Sequence, residues 1–260
     1  PMKKELRTYS FDGIEKLNCQ IWLPEGLEGP LPAILFLHGS GERGTDESIL
    51  AFQALPKYLT AGREIPAVVI CPQCPEETNW KGILPQLGFV LEDILQSYPI
   101  DRAKVAITGI SMGGFGTWYA ACTWPKTFCR AASICGAGDP VLAPMVRHLP
   151  WRVFHGDADP AVEPEYSKKV FTALQALDAD VELTMFRQEY RTLGHAVHMT
   201  EDEFVTDEPS FTVSVFTKTP PKQVLLAPEN TPVSFEYRDG CTTFTARPLH
   251  IYDLYLIEYE

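Results

Sequence analysis

No apolar run in this chain of 260 residues approaches the ~18–20 needed to cross a bilayer, which excludes a transmembrane helix as its organising feature. Basic side chains are scarce: 22 Lys and Arg stand against 34 Asp and Glu, a formal charge of −12 with the histidines neutral. So acidic a surface repels phosphate backbones and anionic headgroups, and neither nucleic acid nor a membrane is expected as partner. The seven cysteines are an odd number and lack the spacing of a dense disulfide scaffold, so at least one stays unpaired within the chain. Cys71 and Cys74 form a C-x-x-C pair, but no second pair or nearby histidine pair completes a tetrahedral site. Reduced cysteines in or near a core, and no metal, are expected.

What is present is ordinary globular material, 45% hydrophobic and 11% aromatic, long enough for one to two domains and a large core. The start, Pro1 to Leu6, has two lysines but no hydrophobic stretch behind them. No signal peptide is therefore expected, and a cytoplasmic location follows, or a secreted or periplasmic one if a leader was removed.

Short apolar strands are expected at Leu17–Leu23, Ala33–Leu37, Ala67–Cys71, Val105–Thr108, Ala131–Cys135, Arg152–Phe154 and Val181–Phe186. Helical patterns fall at Ile49–Thr60, Leu87–Tyr98, Gly113–Thr123 and Glu163–Leu177. Strands apolar throughout, alternating with helices, predict an α/β fold with a mostly parallel sheet covered on both faces. After Glu203 the pattern turns to strand after strand, with turn signals at Pro220-Pro221, Pro228-Glu229-Asn230 and Asp239-Gly240. The expected division is an α/β domain over 1–204 and a small all-β extension over 205–260.

The strongest chemical signal is Gly109-Ile110-Ser111-Met112-Gly113, a G-x-S-x-G between an apolar strand and a helix. A nucleophile on a sharp strand-to-helix turn needs glycines at both ends of the motif, and the following helix aims its first amides at developing negative charge. A serine hydroxyl attacks only when a base takes its proton, so a histidine and an orienting acid must follow. Trp151–Val162 contains His155-Gly156-Asp157-Ala158-Asp159, in which Asp159 is favoured as the acid and Asp157 is the competitor. Gly194-His195 follows the strand Val181–Phe186, making His195 the candidate base, with His198 as rival.

A tetrahedral oxyanion needs two aligned donors. Met112 N–H is one; the other comes from the turn His38-Gly39-Ser40-Gly41-Glu42-Arg43-Gly44, with Ser40 N–H favoured and Gly41 the alternative. That turn lacks the G-K-[ST] ending of a P-loop and the G-x-G-x-x-G of a dinucleotide site, so no nucleotide is expected. Glu42 and Arg43 are expected to form a local ion pair. His38 and His155 are expected to be scaffold histidines with satisfied hydrogen bonds. Gln73 and Trp80, in the loop after another strand, join Gly41 as substrate-pocket candidates.

With these residues in place the chain resembles a serine α/β-hydrolase, closest to the esterases grouped with the phospholipase/carboxylesterase, dienelactone hydrolase and prolyl-oligopeptidase-like families. The resemblance rests on Leu35–Gly44, on Pro72–Pro75 followed by Trp80, on Gly109–Gly114 and on His155–Pro160, and it covers about residues 5 to 200. The chain order Ser111, Asp159, His195 is that of the α/β-hydrolases. The resemblance implies a carboxylic-ester hydrolase without metal or organic cofactor, acting on short acyl or plant-polysaccharide-linked (acetyl or feruloyl) esters, with a small ester or acylated saccharide as its partner. Similar esterases often carry an aromatic residue three positions after the histidine, where this chain has His198, and close with a helix where this chain turns to β. The β extension is weakly similar to C-terminal β-modules of carbohydrate-active enzymes and is expected either to pack in place of that helix or to exchange with a second subunit in a homo-oligomer. The rival readings are a serine peptidase on the same scaffold and a non-catalytic module that retains the fold.

Overall fold

The computed structural model describes residues 1–187, 211–227, 231–246 and 254–258. Strand β1 (Met2–Phe11) pairs antiparallel with β2 (Ile14–Pro24) across Asp12-Gly13, where Gly13 takes φ 77°. β1 lies outside the sequence expectation, because its alternation of half-buried and exposed residues leaves few large apolar side chains to mark it. The chain then alternates: β3 (Leu31–Leu37), α1 (Ala54–Thr60), β4 (Val68–Pro72), α2 (Leu84–Ser97), β5 (Ile100–Ile110) and α3 (Met112–Thr123). It continues with β6 (Arg130–Ile134), α4 (Ala143–Val146), β7 (Trp151–Gly156), α5 (Pro164–Gln175) and β8 (Val181–Arg187).

The strands β4-β3-β5-β6-β7-β8 lie side by side and parallel, with β2 antiparallel beyond β4. All five residues of β4 are buried, as a strand covered on both faces requires. One face carries Leu35, Leu37, Ile70, Val105 and Ile107 beneath Leu87, Val90, Leu91 and Ile94 of α2. Those helix positions recur at i, i+3, i+4 and i+7, which makes a single apolar stripe. Helix α3 differs, being buried nearly all round with Trp118 packed against Trp151 at 5.0 Å between ring centroids. Its glycines are poor helix formers, each costing about 1 kcal/mol relative to alanine, so packing rather than propensity holds it. Phe36, Val69, Cys71 and Ile110 face the opposite side, with Leu59 of α1.

The C-terminal strands do not stand apart from this sheet. β9 (Phe211–Phe216) pairs antiparallel with β8 in register Leu183↔Phe216, and β13 (Cys241–Ala246) and β12 (Phe235–Arg238) follow outward. Among the described residues the result is one eleven-stranded sheet, with β10 (Gln223–Ala227), β11 (Thr231–Val233) and β14 (Leu254–Glu258) forming a second of three strands. Val224 and Ile257 of the small sheet pack on Val213, Val215 and Phe244 of the large one. The Asp239-Gly240 hairpin stands as expected: both residues have positive φ, 51° and 78°, the geometry of the turn that matches strand twist. The expected boundary at 204 lies outside the described residues.

All seven cysteines are free thiols. Cys71 and Cys74 pack into different cores on opposite sides of the sheet, so the C-x-x-C pair does not converge. Among the described residues no helix is long and apolar enough to cross a membrane.

Candidate active site

β5 ends at Ile110 and α3 begins at Met112, leaving Ser111 alone at the corner with φ 53° and ψ −118°. For a residue with a Cβ such a conformation costs of order 1–3 kcal/mol and persists only when its surroundings over-determine it. They do: Ser111 N–H donates to the Ile134 carbonyl at 2.9 Å, and the Ser111 carbonyl accepts from Phe115 N–H at 3.1 Å. The two motif glycines make the corner sterically feasible. A Cβ on Gly113 would lie 1.8 Å from the Leu37 oxygen, and one on Gly109 would lie 2.3 Å from the Gly113 oxygen. Ser111 and Met112 are half-exposed, and the first amides of α3 have no partner within the helix.

Beside the corner, β3 runs into a single 3₁₀ turn, Ser40–Glu42. A Cβ on Gly39 would be 3.8 Å from Ser111 Cβ, so this turn abuts the nucleophile candidate, while Ser40 and Gly41 stand exposed on its outer side. The turn is held from behind. His38 is buried, its Nε2 accepts from Cys74 N–H at 2.9 Å, and its Nδ1 lies 2.6 Å from the Gly39 carbonyl. Burial lowers its pKa to about 4, outweighing the hydrogen bond to Gly39, so the ring is neutral at neutral pH. Gln73 and Trp80, expected at the substrate pocket, are wholly buried and serve the turn instead. Gln73 Nε2 donates to the carbonyls of Glu42 (3.2 Å) and Asp46 (2.8 Å), and Trp80 Nε1 donates to the His38 carbonyl at 3.0 Å.

The expected Glu42–Arg43 ion pair is replaced by a division of labour. Arg43 donates to the carbonyls of Ser40, Glu76 and Thr78, tying the turn to the loop after β4. Glu42 turns inward, its Oε2 against Gly39 and 3.7 Å from His38 Nδ1, and desolvation raises its pKa. Five donors in a fork suit Arg43 to collecting carbonyls, which a solvent-exposed pair with its neighbour would waste.

The loop after β7 presents the acids. The Asp159 side chain is fully buried, with Oδ1 accepting from Ala161 N–H (2.9 Å) and Val162 N–H (3.0 Å) and Oδ2 lying 3.2 Å from His155 Nε2. Asp157 is exposed. His155 is itself fully buried: Nδ1 meets Ser167 Oγ at 2.7 Å and Nε2 meets the Val162 carbonyl at 2.9 Å. Both ring nitrogens of His38 and of His155 are thus engaged by the scaffold. His195 and His198 lie outside the described residues.

The sequence reading passed over Cys135. It directly follows β6 at φ 40°, wholly buried beside the Ser111 backbone, whose N–H is held by the Ile134 carbonyl. Burial pushes its pKa up to about 12, so it is a neutral thiol lining the floor of the corner. Nothing in the local pattern marks it, since its position depends on β5 and β6 lying adjacent and parallel.

A strained serine, a turn with the exposed residues Ser40 and Gly41 beside it and a buried, fixed carboxylate can together support acyl transfer. Comparison with known proteins bears on this. No match is found among curated proteins. A solved thermostable esterase is 28% identical with a TM-score of 0.64, over 72% of this chain and 55% of its own, so the chain spans about half the length of that relative. The feruloyl esterase module from Clostridium thermocellum, solved as its S954A mutant with sinapinate, matches at 16% identity and a TM-score of 0.53, over 66% of this chain and 73% of its own. The acylaminoacyl peptidase of Pyrococcus horikoshii matches at 15% identity and a TM-score of 0.58, over 74% of this chain and 38% of its own. At those identities the last two speak for the α/β-hydrolase fold alone. A family model described as "Putative esterase" matches residues 14–170, a span that contains Ser111, Asp159 and the Ser40 turn, and the chain belongs to that family of the α/β-hydrolase fold.

Proposed function

We propose that this protein is a serine carboxylic-ester hydrolase. The observation that carries the reading is Ser111, held in left-handed geometry between Gly109 and Gly113, with the exposed Ser40 turn against one side of it. Ser111 Oγ attacks the ester carbonyl while His195 takes its proton. His195 then protonates the leaving alcohol, and the acyl group stays on Ser111. Water, deprotonated by His195, attacks the acyl-enzyme and releases the acid with Ser111 restored. Asp159 is the acid that fixes the His195 tautomer and stabilises its imidazolium; its burial and two backbone donors support it over exposed Asp157. Met112 N–H and Ser40 N–H, with Gly41 N–H as the alternative, hold the oxyanion.

The substrate class we infer is a short-chain acyl or aromatic acyl ester, including those carried on plant polysaccharide. Phe115, one turn along α3 from Ser111, and the half-exposed Tyr166 of α5 set their rings edge to face at 6.5 Å, and we take this aromatic pair as the surface that receives an aryl or small acyl group.

The test is hydrolysis of p-nitrophenyl esters from acetate to octanoate and of methyl ferulate, beside the Ser111→Ala variant. The expected result is turnover at short chain lengths or on the ferulate that disappears in the variant. Unchanged turnover in Ser111→Ala, with the fold intact by circular dichroism, would sink the assignment.

A further inference from the structure

Cys74 N–H can only donate, so the His38 nitrogen it meets at 2.9 Å, Nε2, must be the unprotonated one. The ring is neutral, so its single proton sits on Nδ1, and Nδ1–H then donates to the Gly39 carbonyl at 2.6 Å. That carbonyl belongs to the peptide unit joining Gly39 to Ser40. In a planar trans peptide the C=O and N–H point in opposite directions. Holding the Gly39 oxygen inward on His38 therefore turns Ser40 N–H outward, on the exposed side of a turn whose Gly39 borders Ser111 Cβ. The preceding peptide is held as well, because the buried Glu42 carboxylate takes Gly39 N–H. The Trp80 indole donates to the His38 carbonyl and packs on its ring at 4.9 Å, which prevents the imidazole from flipping.

We infer that His38 is a positioning residue of the oxyanion hole: by donating from Nδ1 to the Gly39 carbonyl, with Nε2 held by Cys74 N–H, it aims Ser40 N–H at the oxyanion. It touches no substrate. The inference rests on the reading of Ser111 as nucleophile and Ser40 as donor. It gives a buried neutral histidine, which the proton transfers do not use, a defined task.

The experiment compares wild type with His38→Leu, which removes the donor, and His38→Asn, whose Nδ2 can replace Nδ1 against the Gly39 carbonyl. Three readouts are taken: steady-state kinetics on the best p-nitrophenyl ester, inhibition by a short alkyl trifluoromethyl ketone, and thermal stability. The ketone binds as a hemiketal oxyanion and so reports the hole directly. Loss of an oxyanion donor lowers kcat by ~10²–10³-fold, and His38→Leu is expected at ~10²-fold with KM within about threefold. The ketone Ki should rise by the same factor as kcat/KM falls, and His38→Asn should recover ~10-fold of the loss. A His38→Leu variant with lowered Tm but unchanged ketone Ki would show a purely structural role and overturn the inference, as would an Asn variant no better than Leu. Should His38→Leu fail to fold, ¹⁵N chemical shifts of the wild-type imidazole still decide: Nδ1 protonated with Nε2 bare is required, and the reverse tautomer refutes it. Failure of the esterase reading is distinct, since a fluorophosphonate probe would then leave Ser111 of the folded wild type unlabelled.

Discussion

The Cα of Gly113 faces the carbonyl oxygen of Leu37 so closely that a methyl group in its place would stand 1.8 Å from that oxygen. Strand β3 and the start of helix α3 thus meet backbone to backbone. This contact brings the turn after β3 alongside Ser111. Both atoms belong to main chain buried between strand and helix, so neither can move aside cheaply.

Gly113→Ala is therefore expected to destabilise the fold by more than about 3 kcal/mol, beyond ordinary overpacking. Urea unfolding of the soluble fraction checks it. A variant within about 1 kcal/mol of wild type would mean that the strand and helix can separate without penalty, and the close-approach account would fail.

Ser111 carries backbone strain that a glycine would relieve. Ser111→Gly and Ser111→Ala should both lack esterase activity, but only alanine keeps a Cβ at φ 53°. After allowance for the greater freedom of glycine in the unfolded chain, Ser111→Gly should be the more stable of the two by about 1 kcal/mol. Thermal melts of the pair measure the difference. Equal stability would show that the corner is not strained.

The two acids after β7 separate by kinetics. Asp159→Asn should keep the fold and lower kcat by ~10⁴-fold, as loss of a triad acid does. Asp157→Asn, at an exposed position, should stay within about threefold of wild type. If the two exchange behaviour, Asp157 is the orienting acid.

His38 also links stability to pH. Its folded pKa, about 4, lies below its ordinary value of 6.5, with burial the main cause. A depressed folded pKa contributes stability that is present above the unfolded value and lost as pH falls through the folded one, so the loss falls between about pH 6.5 and 4. The shift corresponds to roughly 3 kcal/mol. Glu42 runs the other way, its raised pKa favouring the folded state at low pH, and it is common to wild type and variant. Chemical denaturation of wild type and His38→Asn at pH 7, 5.5 and 4 should show wild type losing more. Parallel lines would mean that the imidazole is hydrated in the folded protein.

Much of the site could be read from local pattern because local backbone demands have local signatures. G-x-S-x-G marks a corner that only small flanking residues permit, and the apolar strands and α2 stripe follow from side-chain period. Asp239-Gly240 likewise announces a turn whose two residues need positive φ. By contrast, β1 is amphipathic and half-exposed, and its pattern is weak where its pairing with β2 is strong. Gln73 and Trp80 sit in a loop that looked like a pocket wall, yet their partners, the carbonyls of Glu42, Asp46 and His38, come from a turn about 30 to 40 residues earlier in the chain. Side-chain chemistry alone does not say which distant carbonyl an amide or indole will find.

The division is therefore physical. By itself the sequence determined the α/β character, the strand-to-helix corner at Ser111 and the Gly-rich turn after β3, since each is written in adjacent residues under short-range steric rules. Tertiary structure alone decided that β9 continues the central sheet from β8, that Cys135 floors the corner, and that Arg43 gathers carbonyls while Glu42 turns inward. These depend on which strands become neighbours and on which buried polar groups must find partners once water is excluded.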